Sequence, residues 1–90
     1  MLYNAIFAIG EIAIANPKNK EISKAVPRVI KFLEHEKKML REISIWALEK
    51  SGNIEALPKL HVVWLNDPDT EIRKKAGNAI NTIVEANKTQ

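Results

Sequence analysis

Apolar and small residues recur in the middle of the chain at Leu40, Ser44, Ala47, Leu48 and Ser51. These spacings draw one stripe down a 3.6-residue helix. Thirty-two residues further on, Ile72-Arg73, Ala76, Ala79 and Ile80 repeat the arrangement of Leu40-Arg41, Ser44, Ala47 and Leu48. Thirty-nine residues back, Met1, Ala5, Ala8 and Ile9 fall on the same positions without the arginine. A second match lies upstream of the two later copies. Ala25-Val26-Pro27-Arg28-Val29 corresponds to Ala56-Leu57-Pro58-Lys59-Leu60, and both runs reach an apolar end, Phe32-Leu33 and Trp64-Leu65. The repeating unit is therefore a pair of helices. The first, A, carries Ala-apolar-Pro in its opening turn, and the second, B, carries the arginine and the small residues.

Self-similarity of this kind is the signature of a helical repeat array, and the local punctuation agrees. Asp67-Pro68-Asp69-Thr70-Glu71 offers an Asp N-cap, Pro at the first helical position and acids in the first turn. Lys50-Ser51-Gly52-Asn53 offers a cationic last turn and a glycine C-cap. Asn16-Pro17 ends the first helix and Ser23 can cap the next. Helices are expected over 2–15, 23–34, 38–51, 54–65 and 69–86, with room in Asn16–Ile22 for an extra helical turn. The expected fold is all-α, an α-α superhelix of five helices and about two and a half repeats. As one domain over 1–90, it holds the B helix of a partial repeat in 1–22, then repeats over 23–52 and 53–86.

Composition narrows the function more than it names it. A chain of 90 residues forms one small domain that buries only about 60–65% of its unfolded surface. Cysteine is absent, which excludes disulfides and thiolate metal sites and suits a reducing cytoplasm. Glutamine occurs only at Gln90 while Lys, Glu and Ile abound, a bias seen in thermophile proteins. The net charge of +3 comes from lysines scattered along the chain, with arginine only at 28, 41 and 73. A dedicated nucleic-acid binder shows a denser basic stripe. The apolar start ends in Ala13-Ile14-Ala15, like a secretory signal. However, no basic residue precedes it, Glu11 interrupts it, and it matches later parts of the chain. It is also too short to span a membrane. The expectation is a cytoplasmic protein.

Asn66-Asp67-Pro68-Asp69-Thr70-Glu71-Ile72-Arg73 followed by Ala76, Ala79 and Ile80 resembles the HEAT repeat, in the short form named after phycobilisome-lyase-like proteins. Asn53-Ile54-Glu55-Ala56-Leu57-Pro58-Lys59-Leu60 resembles that family's opening of helix A. The resemblance covers almost the whole chain and implies an α-solenoid. It also implies a non-catalytic role as scaffold or adaptor, with the B helices on the concave binding side. Few members are lyases or DNA-repair enzymes. Nothing in the chain resembles a bilin-binding site, so lyase activity is not carried over. Two departures stand out: His35 occupies the position of Asp67, putting that turn off-pattern, and the first repeat lacks its A helix. The resemblance further implies that Asp67, Arg73 and Arg41 form an internal ladder of charge-assisted hydrogen bonds. Catalysis by Asp67 is the less favoured reading.

Few other residues carry chemistry. His35 and His61 lie on different elements, and Glu34-His35-Glu36 is better read as a solvated turn than as a metal site. No cofactor, metal or nucleophile–base pair is expected. Trp64, placed by Leu57 and Leu60, is expected in the core. Trp46 points about 140° from the α-helical stripe at 100° per residue, with Phe7 and Asn78 at the equivalent positions. Two readings of Trp46 stand: an exposed binding anchor, or lateral packing between neighbouring B helices. On the first, a protein or peptide partner meets Phe7, Glu42, Ile45, Trp46, Glu49, Lys74 and Asn78. A rival reading makes Lys74, Lys75 and Arg41 with Trp46 a nucleic-acid surface, which Glu42 and Glu49 oppose. The first helix is apolar nearly all round, with Tyr3, Phe7 and Ile14 on its outer side. A two-fold homodimer through that helix is the simplest cover, the alternatives being an upstream region or a separate partner chain.

Overall fold

The computed structural model describes residues 2–88. Met1, matched above to Leu40, lies outside the described residues, as do Thr89 and Gln90. The described chain folds into five α-helices without a strand: α1 (Leu2–Ala15), α2 (Lys20–Lys31), α3 (Lys38–Ser51), α4 (Leu57–Asn66) and α5 (Thr70–Asn87). A 3-10 turn, Phe32–Glu34, extends α2, and another, Ile54–Ala56, leads into α4. This is the all-α, solenoid-like fold the periodicity predicts. The helices form a slab 33 × 32 × 16 Å. Helix α3 is central, packing against α1 on one flank, α5 on the other and α2 across the slab. Helix α4 packs against α5.

Helices α3 and α5 bury the stripes their sequence announces, but α1 does not: Ala5 and Ala8 are exposed and Ile9 half-buried, while Ile6, Gly10 and Ala13 are buried instead, because α1 packs chiefly against α3. On α3, Leu40, Ser44, Ala47 and Leu48 are buried; on α5, Ile72, Ala76, Ala79, Ile80 and Ile83. Both stripes carry small, buried residues at matching positions, 44 and 47 on α3 and 76 and 79 on α5. The buried Ser44 hydroxyl needs no outside partner because it donates to the Leu40 carbonyl at 2.7 Å. The facing stripes are Ile22, Val26, Val29 and Leu33 from α2 and its 3-10 turn, and Ala56, Leu60 and Val63 at α4. Helix α3 closes on Gly52, whose φ of 62° supplies the left-handed cap.

The ends differ from expectation at α2 and α5, each for a local hydrogen bond. Asn19, rather than Ser23, caps α2: its Oδ1 accepts from the Glu21 amide at 2.7 Å. Asn53 does the same with Glu55 at 2.8 Å before α4. Helix α2 thus gains about one turn, and Pro27 lies inside it rather than in a first turn like Pro58. Its ring cannot donate to the Ser23 carbonyl, a cost the amphipathic packing of α2 outweighs. At α5 the cap is Asp69, which accepts from Glu71 at 2.9 Å and Ile72 at 3.2 Å, so Pro68 stands before the helix.

Candidate binding surface

On α3, Glu42, Ile45, Trp46 and Glu49 follow one another at i, i+3, i+4 and i+7, and therefore share a face. Together with Lys75 and Asn78 of α5 they line a groove of about 270 Å³ between the two B helices. Trp46 forms one wall. Its indole stacks on Phe7 of α1, with ring centroids 5.3 Å apart and planes 14° apart. It lies over Gly10: a Cβ there would overlap Cζ3 and come within 2.7 Å of Cε3. The ring is half-buried against the core. One side of the indole thus packs laterally on α1, as the second reading expects, while the other faces the groove. Ile45, expected beside it on the exposed face, is buried at 3% exposure and lies beneath the groove.

The charges around this groove are paired. Lys75 donates to Glu42 at 2.7 Å, which raises its pKa above the ordinary 10.5. Lys38 reaches Glu71 and Asp69 at 3.1 Å each, and these bonds raise its pKa too. The Lys38 ammonium in turn holds the Asp69 carboxyl below its ordinary 3.8, helped by the amides of Ile72 and Glu71. Glu49 has Lys50 at 3.6 Å. The pairs 38–71 and 42–75 run between α3 and α5, one residue beyond the 32-residue repeat, so each cross-links successive units.

A second cross-link is more deeply set. Asp67 is buried, and Arg41 Nε lies 2.9 Å from its Oδ2, with side-chain exposures of only 12% and 4%. Arg41 Nη2 adds a 3.4 Å bond to Oδ1, and Nη1 donates to the carbonyls of His35 and Glu36 at 3.0 and 3.1 Å. The Nε contact is Coulombic rather than a directed hydrogen bond. Arg73, expected to pair with the Asp67 carboxylate, instead donates to the Asp67 carbonyl and, at 2.9 Å, to Thr70 Oγ1. The carboxylate is taken by the arginine of the preceding unit. The turn at His35 is regular after all. His35 Nδ1 accepts from the Lys37 amide at 3.0 Å, as Asp67 Oδ1 accepts from Asp69 at 2.9 Å, and each following arginine caps the carbonyl six residues back.

A family model of HEAT repeats matches residues 2–81. The chain belongs to the HEAT repeat family. Members of this family are generally non-catalytic scaffolds for protein interaction. No curated protein and no solved structure matches the chain. Among the described residues of this HEAT repeat protein, no three His, Asp or Glu converge as metal ligands. None of its described helices is long and apolar enough to cross a membrane.

Two expected placements change. Lys74 does not join Trp46; it lies on the far side of α5 with Trp64, His61, Gly77 and Asn81, and Lys75 takes its place in the groove. Trp64 is not core: it is 46% exposed, its ring meeting His61 edge-on at 6.1 Å. Leu57, used to place it, is itself only half-buried; the true stripe is Ala56, Leu60 and Val63, which leaves position 64 at its edge. Asn78 borders both hollows. Sequence reasoning passed over Gly10, although a glycine inside an apolar helix signals close approach of a neighbour.

Proposed function

We propose that this protein binds a protein or peptide segment in the α3–α5 groove, as an adaptor without catalysis of its own. The observation that carries the reading is the seating of Trp46. Its indole is fixed from behind by Phe7 and Gly10 and presented to the groove between the Glu42–Lys75 pair and Glu49. A rigid aromatic inside a polar rim is the arrangement of an interaction hot spot. An extended peptide or a short helix suits such a groove. The nucleic-acid alternative is weaker, because Lys75 and Lys38 already hold carboxylates and each phosphate contact requires a cation to spare.

The same proposal places self-association at α1, where Leu2, Ile12 and Ile14 are 44%, 44% and 58% exposed. Light scattering on Ile12→Glu and Ile14→Glu variants tests that part. For the groove, a photo-crosslinking side chain at exposed Asn78 should capture a partner. Glu49→Lys should lose it while the thermal midpoint stays unchanged. Equal capture by Glu49→Lys removes the groove from consideration.

A further inference from the structure

The outer side of α5 repeats, thirty-two residues on, the side of α3 that α5 covers. Glu42, Ile45, Trp46 and Glu49 correspond to Lys74, Gly77, Asn78 and Asn81. The first four line the α3–α5 groove. The second four, with His61, Trp64 and Ile80, line a hollow of about 360 Å³ at the α4–α5 end of the slab. The A helices show the same contrast. Leu33, in the turn that packs against α4, is 1% exposed. Its counterpart Leu65 is 66% exposed.

The molecule thus shows what covers such a surface: a helix laid alongside, with a charge meeting the partner charge. On α3 the pair is Glu42 with Lys75 of the covering helix. On α5 the sign is reversed, because Lys74 stands at the position of Glu42. Lys74 makes no ion pair among the described residues. The apolar part is already in place. Trp64 lies over Gly77, its Cδ1 and Nε1 3.2 Å from where a Cβ would stand.

We infer that this end face docks an acidic amphipathic helix of another protein, as an added unit of the array. The helix lies along α5 as α5 lies along α3. It puts a carboxylate on Lys74, at the place Lys75 holds against Glu42, and its apolar side on Trp64. A second copy of this chain fits less well. Its α1, arriving as the next B helix, brings Asn4 rather than a carboxylate to that place. The inference does not depend on the α3–α5 groove.

The probe is a stapled helical peptide with the sequence of α5, residues 70–87, carrying Lys75→Glu. It is titrated into the full chain with Trp46→Phe, so that Trp64 alone reports. Trp64 emission should shift and saturate. The peptide retaining lysine should bind about tenfold more weakly, as expected for reversing one partly desolvated pair. Lys74→Glu on the protein should invert that order. Several results overturn the inference: no binding, equal binding of the two peptides, or an order unchanged by Lys74→Glu. So does binding that survives Trp64→Phe and moves Trp46 emission instead, which places the peptide in the α3–α5 groove. Self-association abolished by Leu65→Glu also overturns it, by assigning the face to a second copy.

Discussion

Gly10→Ala tests the geometry behind the proposed binding surface. In an ordinary helix interior this change stabilises by about 1 kcal/mol, because alanine is the better helix former. Here the new methyl would overlap Trp46 Cζ3. The indole can move only by leaving α1, which breaks its stack on Phe7, itself worth about 0.5–1.5 kcal/mol. Overpacking of this kind costs about 1–3 kcal/mol, and more when a rigid ring must move. The expected net effect is destabilisation by about 0.5–3.5 kcal/mol, the overpacking and the lost stacking together less the propensity gain. In a domain of this size that lowers the thermal midpoint by roughly 4–8 °C per kcal/mol. Removing the ring should reverse the sign. In a Trp46→Ala background, Gly10→Ala should stabilise by about 0.5–1 kcal/mol. Urea unfolding followed by far-ultraviolet circular dichroism measures all four corners of the cycle. If Gly10→Ala raises stability in the parent chain, Trp46 does not rest on α1 and the preorganised anchor is lost with it.

Two further outcomes follow from the turn geometry. Asp67→Asn keeps the turn acceptor but removes the charge from Arg41; as a mostly buried pair, its disruption should cost about 3–5 kcal/mol. A double-mutant cycle with Arg41→Gln should recover a coupling energy well above 1 kcal/mol, while the matching cycle with Arg73→Gln should show less. His35→Asp should preserve or slightly raise stability, because an Asp oxygen replaces Nδ1 as acceptor for the Lys37 amide, whereas His35→Ala should lose about 0.5–1.5 kcal/mol in the same denaturation assay.

Much of the fold was legible because burial follows the 3.6 period. The boundaries of α1 and α3 agree with the stripe and its Gly52 cap, since a glycine in the left-handed region leaves the helix no continuation. The start of α2 was not legible, because Asn19 and Ser23 are both competent caps; the helix starts at Asn19, whose side chain accepts from the Glu21 amide, and so takes in the buried Ile22. Trp64 was misplaced because half-buried Leu57 passes for core when the stripe is drawn through it. Of the candidate surface, the row Phe7, Trp46 and Asn78 came from repeat arithmetic. The stacking of Phe7 on Trp46 did not, because it depends on the close approach of α1 and α3 at Gly10. Lys74 and Lys75 are adjacent in sequence but 100° apart on a helix; only the packed neighbours show which of them meets Glu42.

The Arg41–Asp67 link has a consequence for how the molecule comes apart. In a linear array, each unit is held by its own helix pair and by the interface to the next, and the strength of the interfaces determines whether units melt singly or together. Here one buried pair and the surface pairs Lys38–Glu71, Lys75–Glu42 and Lys59–Glu34 all cross the same boundary between the second and third units. Weakening that boundary at Asp67 should therefore do more than lower the midpoint. It should broaden the transition, split α4–α5 from the rest as a separately opening segment, and let hydrogen exchange in α5 run ahead of exchange in α3.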